Sequence, residues 1–199
     1  MYNTITNLLK KQNLIIVISF LLILSISCQE SGLLTPTPNS IAYKSSSNNE
    51  IYGKNFPINI YKGAGVITEK ETSLKHILDQ GKPVILNFWA GLCPACRAEI
   101  PNLEQVWKKH KDDLTIVAID IGPFTRLGSF NQGQNVLREL NVTYPSGNTY
   151  DSSVLVRWGI DSIPSTHFIL PDGRVVSEWK GFMGNGKLDS EISKLLDKP

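Results

Sequence analysis

Two cysteines three positions apart are the residues in this chain best suited to covalent chemistry. Cys93 and Cys96 stand in the run Trp89-Ala90-Gly91-Leu92-Cys93-Pro94-Ala95-Cys96-Arg97. The spacing predicts that both lie on one face at the start of a helix, their Cβ atoms about 5–6 Å apart. Modest adjustment then closes a disulfide of about 2.05 Å. Pro94 suits the first helical position, where a missing N–H costs nothing. The free amides of that first turn and the positive end of the helix dipole favour a thiolate at Cys93. A thiolate is the nucleophile of disulfide exchange. Cys93 would attack a partner's disulfide and Cys96 would resolve the mixed disulfide; the reverse sequence oxidises the partner.

Two other uses of a cysteine pair stand beside this one. A zinc site wants about four ligands. The chain has no second CxxC, and His76, His110 and His167 are scattered. A structural disulfide is possible, but a loop this short makes a poor staple. The pair is therefore read as a redox pair, with neither metal nor cofactor required.

These cysteines need a strand to deliver them and a helix to receive them. Pro83–Trp89 is a nearly continuous apolar run, as a strand buried on both faces requires. Pro94–His110 places Ile100, Leu103, Val106 and Trp107 on one helical face, with Pro101 expected to kink it. A short strand is expected within Ile58–Val66, a helix over Thr72–Gln80, a strand over Leu114–Ile121 and a helix over Asn131–Leu140. Thr166–Leu170, the turn Pro171-Asp172-Gly173 and Arg174–Trp179 form a hairpin, and Leu188–Leu196 a closing helix. Residues 122–135 read as a polar, Gly-rich loop, a plain connection, with a substrate-shaping surface as the other reading. The order predicts an α/β fold with parallel strands followed by an antiparallel pair.

Upstream, Leu14–Ser27 is apolar and uncharged, and Lys10 and Lys11 precede it. Fourteen residues reach about 21 Å as a helix, short of the roughly 30 Å hydrocarbon core. Residues 1–28 read as a secretory signal. Ser25-Ile26-Ser27-Cys28 resembles a lipobox, with Cys28 as the lipidation site, although Ser25 stands where a larger aliphatic is usual. An uncleaved anchor is the other reading. Both place the rest of the chain outside the cytoplasm at a membrane surface. Residues 29–50, rich in Ser, Thr, Pro and Asn, read as a flexible linker, and 51–199 as the folded domain. A net charge of +2 gives no reason to expect nucleic acid.

The segment GKPVILNFWAGLCPACRAEIPNL, followed by WGIDSIPSTHFILPDGRVV, resembles the membrane-anchored thioredoxins of the TlpA/ResA/CcmG kind over about residues 60–199. The resemblance implies a thioredoxin-like fold, a central mixed β-sheet flanked by helices. It also implies a cis peptide at Ile163-Pro164 packed against the disulfide, with the Ile163 backbone pairing to an extended substrate. Trp89, Pro94, Ala95 and Ile163 would then border the substrate. Glu99 takes the position of the glutamate near the active site of ResA-like proteins, where it would shuttle the proton of Cys96. A solvated helix glutamate is its plainer reading. Asn87 stands where cytoplasmic thioredoxins have a buried Asp. The dipeptide Pro94-Ala95 departs from the group, which more often has Pro directly before the second cysteine.

The implied activity is reduction of disulfides in exported proteins, with apocytochrome c as a candidate substrate and electrons from a membrane thiol donor. A disulfide oxidase or isomerase, or a tethered peptide-binding module, are the alternatives. Peroxide reduction needs a threonine shortly before the attacking cysteine, and Ala90-Gly91-Leu92 offers none.

Overall fold

The computed structural model describes residues 53–63, 65–67 and 69–197. The signal segment, Cys28 and the linker over 29–50 lie outside them. Among the described residues no helix is long and apolar enough to cross a membrane.

The sheet is built outward from two strands. β1 (Pro57–Lys62) and β2 (Glu71–Ser73) come first in the chain, but β3 (Val84–Trp89) and β4 (Thr115–Asp120) form the centre. Every residue of β3 and β4 is buried, which explains why both read as unbroken apolar runs. They pair in parallel, from Val84 beside Thr115 to Trp89 beside Asp120. β5 (Ser146–Asn148) adds to β4 in parallel, while β6 (Ser165–Ile169) joins β3 antiparallel and pairs with β7 (Val175–Lys180) as a hairpin. The result is a seven-stranded mixed sheet in the order β2-β1-β5-β4-β3-β6-β7. This is the thioredoxin-like architecture.

Helices cover both faces. α1 (Leu74–Leu78), α2 (Pro94–His110), α3 (Gly122–Thr125), α4 (Phe130–Glu139), α5 (Val154–Arg157) and α6 (Asn185–Leu196) follow in chain order. On one face Ile85, Ile116 and Ala118 meet Ile100, Leu103 and Trp107 of α2, Val136 and Leu137 of α4, and Leu188, Ile192 and Leu195 of α6. On the other, Leu86, Phe88, Val117 and Ile119 pack with Phe56, Leu74, Ile77 and Trp158. Each of the Val, Leu, Ile and Phe side chains among them, fully buried, contributes about 1.5–3 kcal/mol of transfer free energy.

Several elements differ from expectation, among them the short helix α5, which was not expected. The helix expected over 72–80 is shorter, because Ser73 caps it by accepting from the His76 amide at 3.2 Å. Glu71–Ser73 instead pairs with β1 as a strand. β5 was not expected: Ser-Gly-Asn has no apolar alternation. It forms because Gly147 lets the Asn59 carbonyl approach to where a Cβ would stand 2.3 Å from that oxygen. Residues 122–135 are more than a connection. They hold α3 and the start of α4, whose Ser129 and Gln132 make a reciprocal capping box. α2 runs unbroken from Pro94 to His110 with Pro101 inside it.

Candidate active site

The site forms where β3 ends and α2 begins. Cys93 is the N-cap of α2 in extended conformation, and Pro94 opens the first turn. The Cys96 amide points back at Cys93 Sγ from 3.2 Å. That amide is one of the donors a helix start leaves without an intrahelical partner. Directed at the sulfur, it favours negative charge there when the bond is open. The two cysteines are joined in a disulfide, with Cα atoms 5.2 Å apart. Cys93 is 4% exposed and Cys96 1%, so Cys93 is the more exposed of the two.

The loop from β6 completes one wall. The Ile163–Pro164 peptide is cis, and the Ile163 carbonyl oxygen lies 3.9 Å from Cys93 Sγ. Ile163 is half-buried, Pro94 exposed and Ala95 half-buried, so all three have surface to offer. Trp89 does not. It is fully buried and packs in the same core cluster as both cysteines. Its expected place at the substrate border is corrected accordingly: it is a wall behind the loop. Leu92, directly before Cys93 and 51% exposed, is the apolar surface residue that sequence reasoning passed over. A solitary leucine in a loop carries no signal of its own.

Glu99 lies one turn beyond Cys96 and is 1% exposed, so it is not a solvated helix glutamate. Its Oε1 accepts from Asn87 Nδ2 at 3.0 Å and Thr166 Oγ1 at 3.3 Å. Its Oε2 accepts from the Met183 amide at 2.8 Å. Asn87 also donates to Thr166 Oγ1 at 2.9 Å. Burial raises the Glu99 carboxyl to about 7, and these three donors offset only part of the rise. A group titrating there can take and return a proton at neutral pH. Thr166 and Met183 were missed. Thr166 was legible in principle, since the antiparallel pairing of β6 with β3 sets it opposite Asn87. The Met183 amide, 84 residues from Glu99 in sequence, was not.

His167 stands apart from this chemistry. It is buried against Phe88 and Trp158, ring centroids 5.8 and 5.0 Å away, and those residues belong to the opposite face of the sheet. Its ring nitrogen Nε2 lies 3.2 Å from Ser165 Oγ. Burial lowers its pKa to about 4, holding it neutral. Among the described residues no group of His, Cys, Asp and Glu is arranged to hold a metal ion.

Comparison with known proteins places the chain among related sequences and folds. The AhpC/TSA family matches residues 56–178. Thiol-disulfide oxidoreductase ResA of Bacillus thuringiensis subsp. konkukian is 26% identical over 132 residues, covering 65% of this chain and 73% of that protein. ResA of Bacillus subtilis is 31% identical over 105 residues, covering 52% of this chain and 56% of its own. Among solved structures, MTB DsbF superposes with a TM-score of 0.57 at 25% identity, over 70% of this chain and 94% of that one.

Proposed function

Because the chain belongs to the AhpC/TSA family and carries its cysteine pair on a thioredoxin-like scaffold, we propose that it is a TlpA/ResA/CcmG-type thiol–disulfide oxidoreductase that reduces disulfides of exported proteins. The observation that carries the reading is Cys93 as the N-cap of α2, its sulfur receiving the Cys96 amide. That is the environment in which a thiolate forms most readily.

The reaction balances as two exchanges. The Cys93 thiolate attacks one sulfur of the substrate disulfide, forming a mixed disulfide and expelling the other sulfur as a thiolate. Glu99 takes the Cys96 proton. The Cys96 thiolate then attacks Cys93 Sγ, closing the Cys93–Cys96 bond and releasing the second substrate thiolate. Two electrons pass to the substrate, and the two expelled thiolates take up protons, one of them returned by Glu99. A membrane thiol donor reopens the bond by the same chemistry. The redox-active disulfide is the only prosthetic element this scheme uses. The Ile163 backbone beside Cys93 lines up an extended substrate segment. The apolar segment before Cys28 supports an extracytoplasmic location, with lipidated Cys28 or an uncleaved helix as the membrane anchor. Ala90-Gly91-Leu92 supplies no hydroxyl before Cys93, which speaks against peroxide as substrate.

The test is trapping. Cys96→Ala should hold substrates as mixed disulfides on Cys93, and Cys93→Ala should abolish insulin reduction that the wild type performs. Retention of that reduction by Cys93→Ala removes the proposal. The reduction potential decides direction: a value of about −120 mV, at the oxidising end for such proteins, would make this an oxidase.

A further inference from the structure

Behind the loop that carries Cys93 stands a second buried carboxyl group which the exchange scheme does not use. Asp120 ends β4 in register with Trp89, the last residue of β3, and is closed to solvent. Its Oδ1 accepts from the Gly122 amide at 2.8 Å. Its Oδ2 has no hydrogen-bond partner among the described residues. A buried acceptor left unsatisfied carries a desolvation penalty, so its presence calls for a compensating role.

Two arms run from this carboxyl group to the active-site loop. The first is a chain of hydrogen bonds. Gly122, held by Oδ1, accepts from the Leu127 amide at 3.0 Å, and Leu127 accepts from the Leu92 amide at 2.8 Å. The second is direct packing. Gly133 of α4 lies so close over Oδ2 that a Cβ there would stand 2.0 Å from it. Gly91 in turn lies on Gly133, where a Cβ would meet the Gly133 nitrogen at 2.8 Å. Both arms end on the residues immediately before Cys93.

Among the described residues no cation contributes to the ionisation of this group. From β1 comes Tyr61, whose phenol is pushed up by burial and further by the charge of Asp120. β5 presents Asn148, its register partner, α3 and α4 present the backbone of Gly122 and Gly133, and β3 presents Trp89. Burial raises the Asp120 carboxyl to about 6, with the Gly122 amide pulling the other way.

We propose that Asp120 is a positioning residue of the exchange reaction, fixing through Gly122 and Gly133 the loop that presents Cys93. The inference rests on the thiol–disulfide reading above. Protonated, the group keeps the Gly122 bond without burying a charge. Ionised, it leaves a charge under the loop with one donor. Since its folded pKa lies above the ordinary carboxylate value, the hold on the loop is complete at low pH and loosens as pH rises through about 6.

Hydrogen exchange at the Leu92 amide of the oxidised wild type, corrected for the intrinsic rate, reads this directly. Protection should fall several-fold between pH 5 and 7.5. Asp120→Asn, which keeps the shape and an acceptor for Gly122, should remove that pH dependence. It should also erase the step near pH 6 in Cys93 alkylation of the reduced protein, a step that Glu99→Gln retains. Identical pH courses in wild type and Asp120→Asn would overturn the proposal. If the variant does not fold, a flat Leu92 course in the wild type overturns it alone. Insulin reduction by the wild type, measured in parallel, reports on the exchange reading separately.

Discussion

Glu99 can handle protons at neutral pH because water does not reach it. Three donors face its carboxylate, yet the loss of hydration outweighs them and lifts the pKa from 4.5 to about 7. At about 1.36 kcal/mol per pH unit, that rise corresponds to roughly 3 kcal/mol as an upper figure. The folded value exceeds the unfolded one, so this stabilisation is whole below pH 4.5 and is lost as pH climbs through about 7. His167 works in the other direction: held neutral at about 4, it withdraws stability as pH falls below its ordinary 6.5. Glu99→Gln isolates the first effect. Thermal unfolding of the two oxidised proteins should show the variant gaining on the wild type from pH 5 to pH 8. A constant difference would mean that Glu99 stays ionised in the fold. In turnover, the same variant should lose the ionisation near 7 in kcat/KM and slow by roughly a hundredfold. The cysteine pair was legible from spacing alone, since spacing is what its chemistry needs. The burial of Glu99 was not, because the loop bearing Met183 seals it from far along the chain.

At the scale of elements, α4 is held by a glycine. Gly133 has no room for a methyl group over Asp120, and overpacking of this kind costs about 1–3 kcal/mol or more. Gly133→Ala should therefore lower the urea midpoint clearly. Combining it with Asp120→Ala should cost less than the sum of the two changes, since the clash disappears with the carboxyl group. Strict additivity would separate the two residues. The strong elements were readable: β3, β4 and α2 fall within a residue or so of the ends expected from their apolar patterns. The weak ones were not. β2 and β5 are three residues each, too short for any periodicity, and exist because β1 lies alongside to pair with them. The chain from 122 to 135 read as a connection because much of its work is done by backbone amides and absent side chains, while its capping box, Ser129 with Gln132, was in the sequence and went unread.

The described residues form one sheet with a core on each face, and the two faces do different work. The cysteines and Glu99 belong to the face of α2. The opposite face, where Phe88 meets Phe56, Trp158 and His167 at 5.8–6.0 Å, is structural. Phe88→Ala should cost about 3–5 kcal/mol in chemical denaturation while leaving the Cys93–Cys96 potential unaltered in the protein that remains folded. A shifted potential would tie the two faces together. The layered order was visible in the sequence because a sheet buried on both sides leaves continuous apolar runs. Cys93, finally, shows only 4% of its surface. A sulfur so recessed should be reached more readily by a disulfide on an extended, unfolded segment than by one locked within a completed fold. Competition between an unfolded and a folded disulfide-bonded protein for the reduced chain should favour the unfolded one, and equal rates would show that the recess does not select.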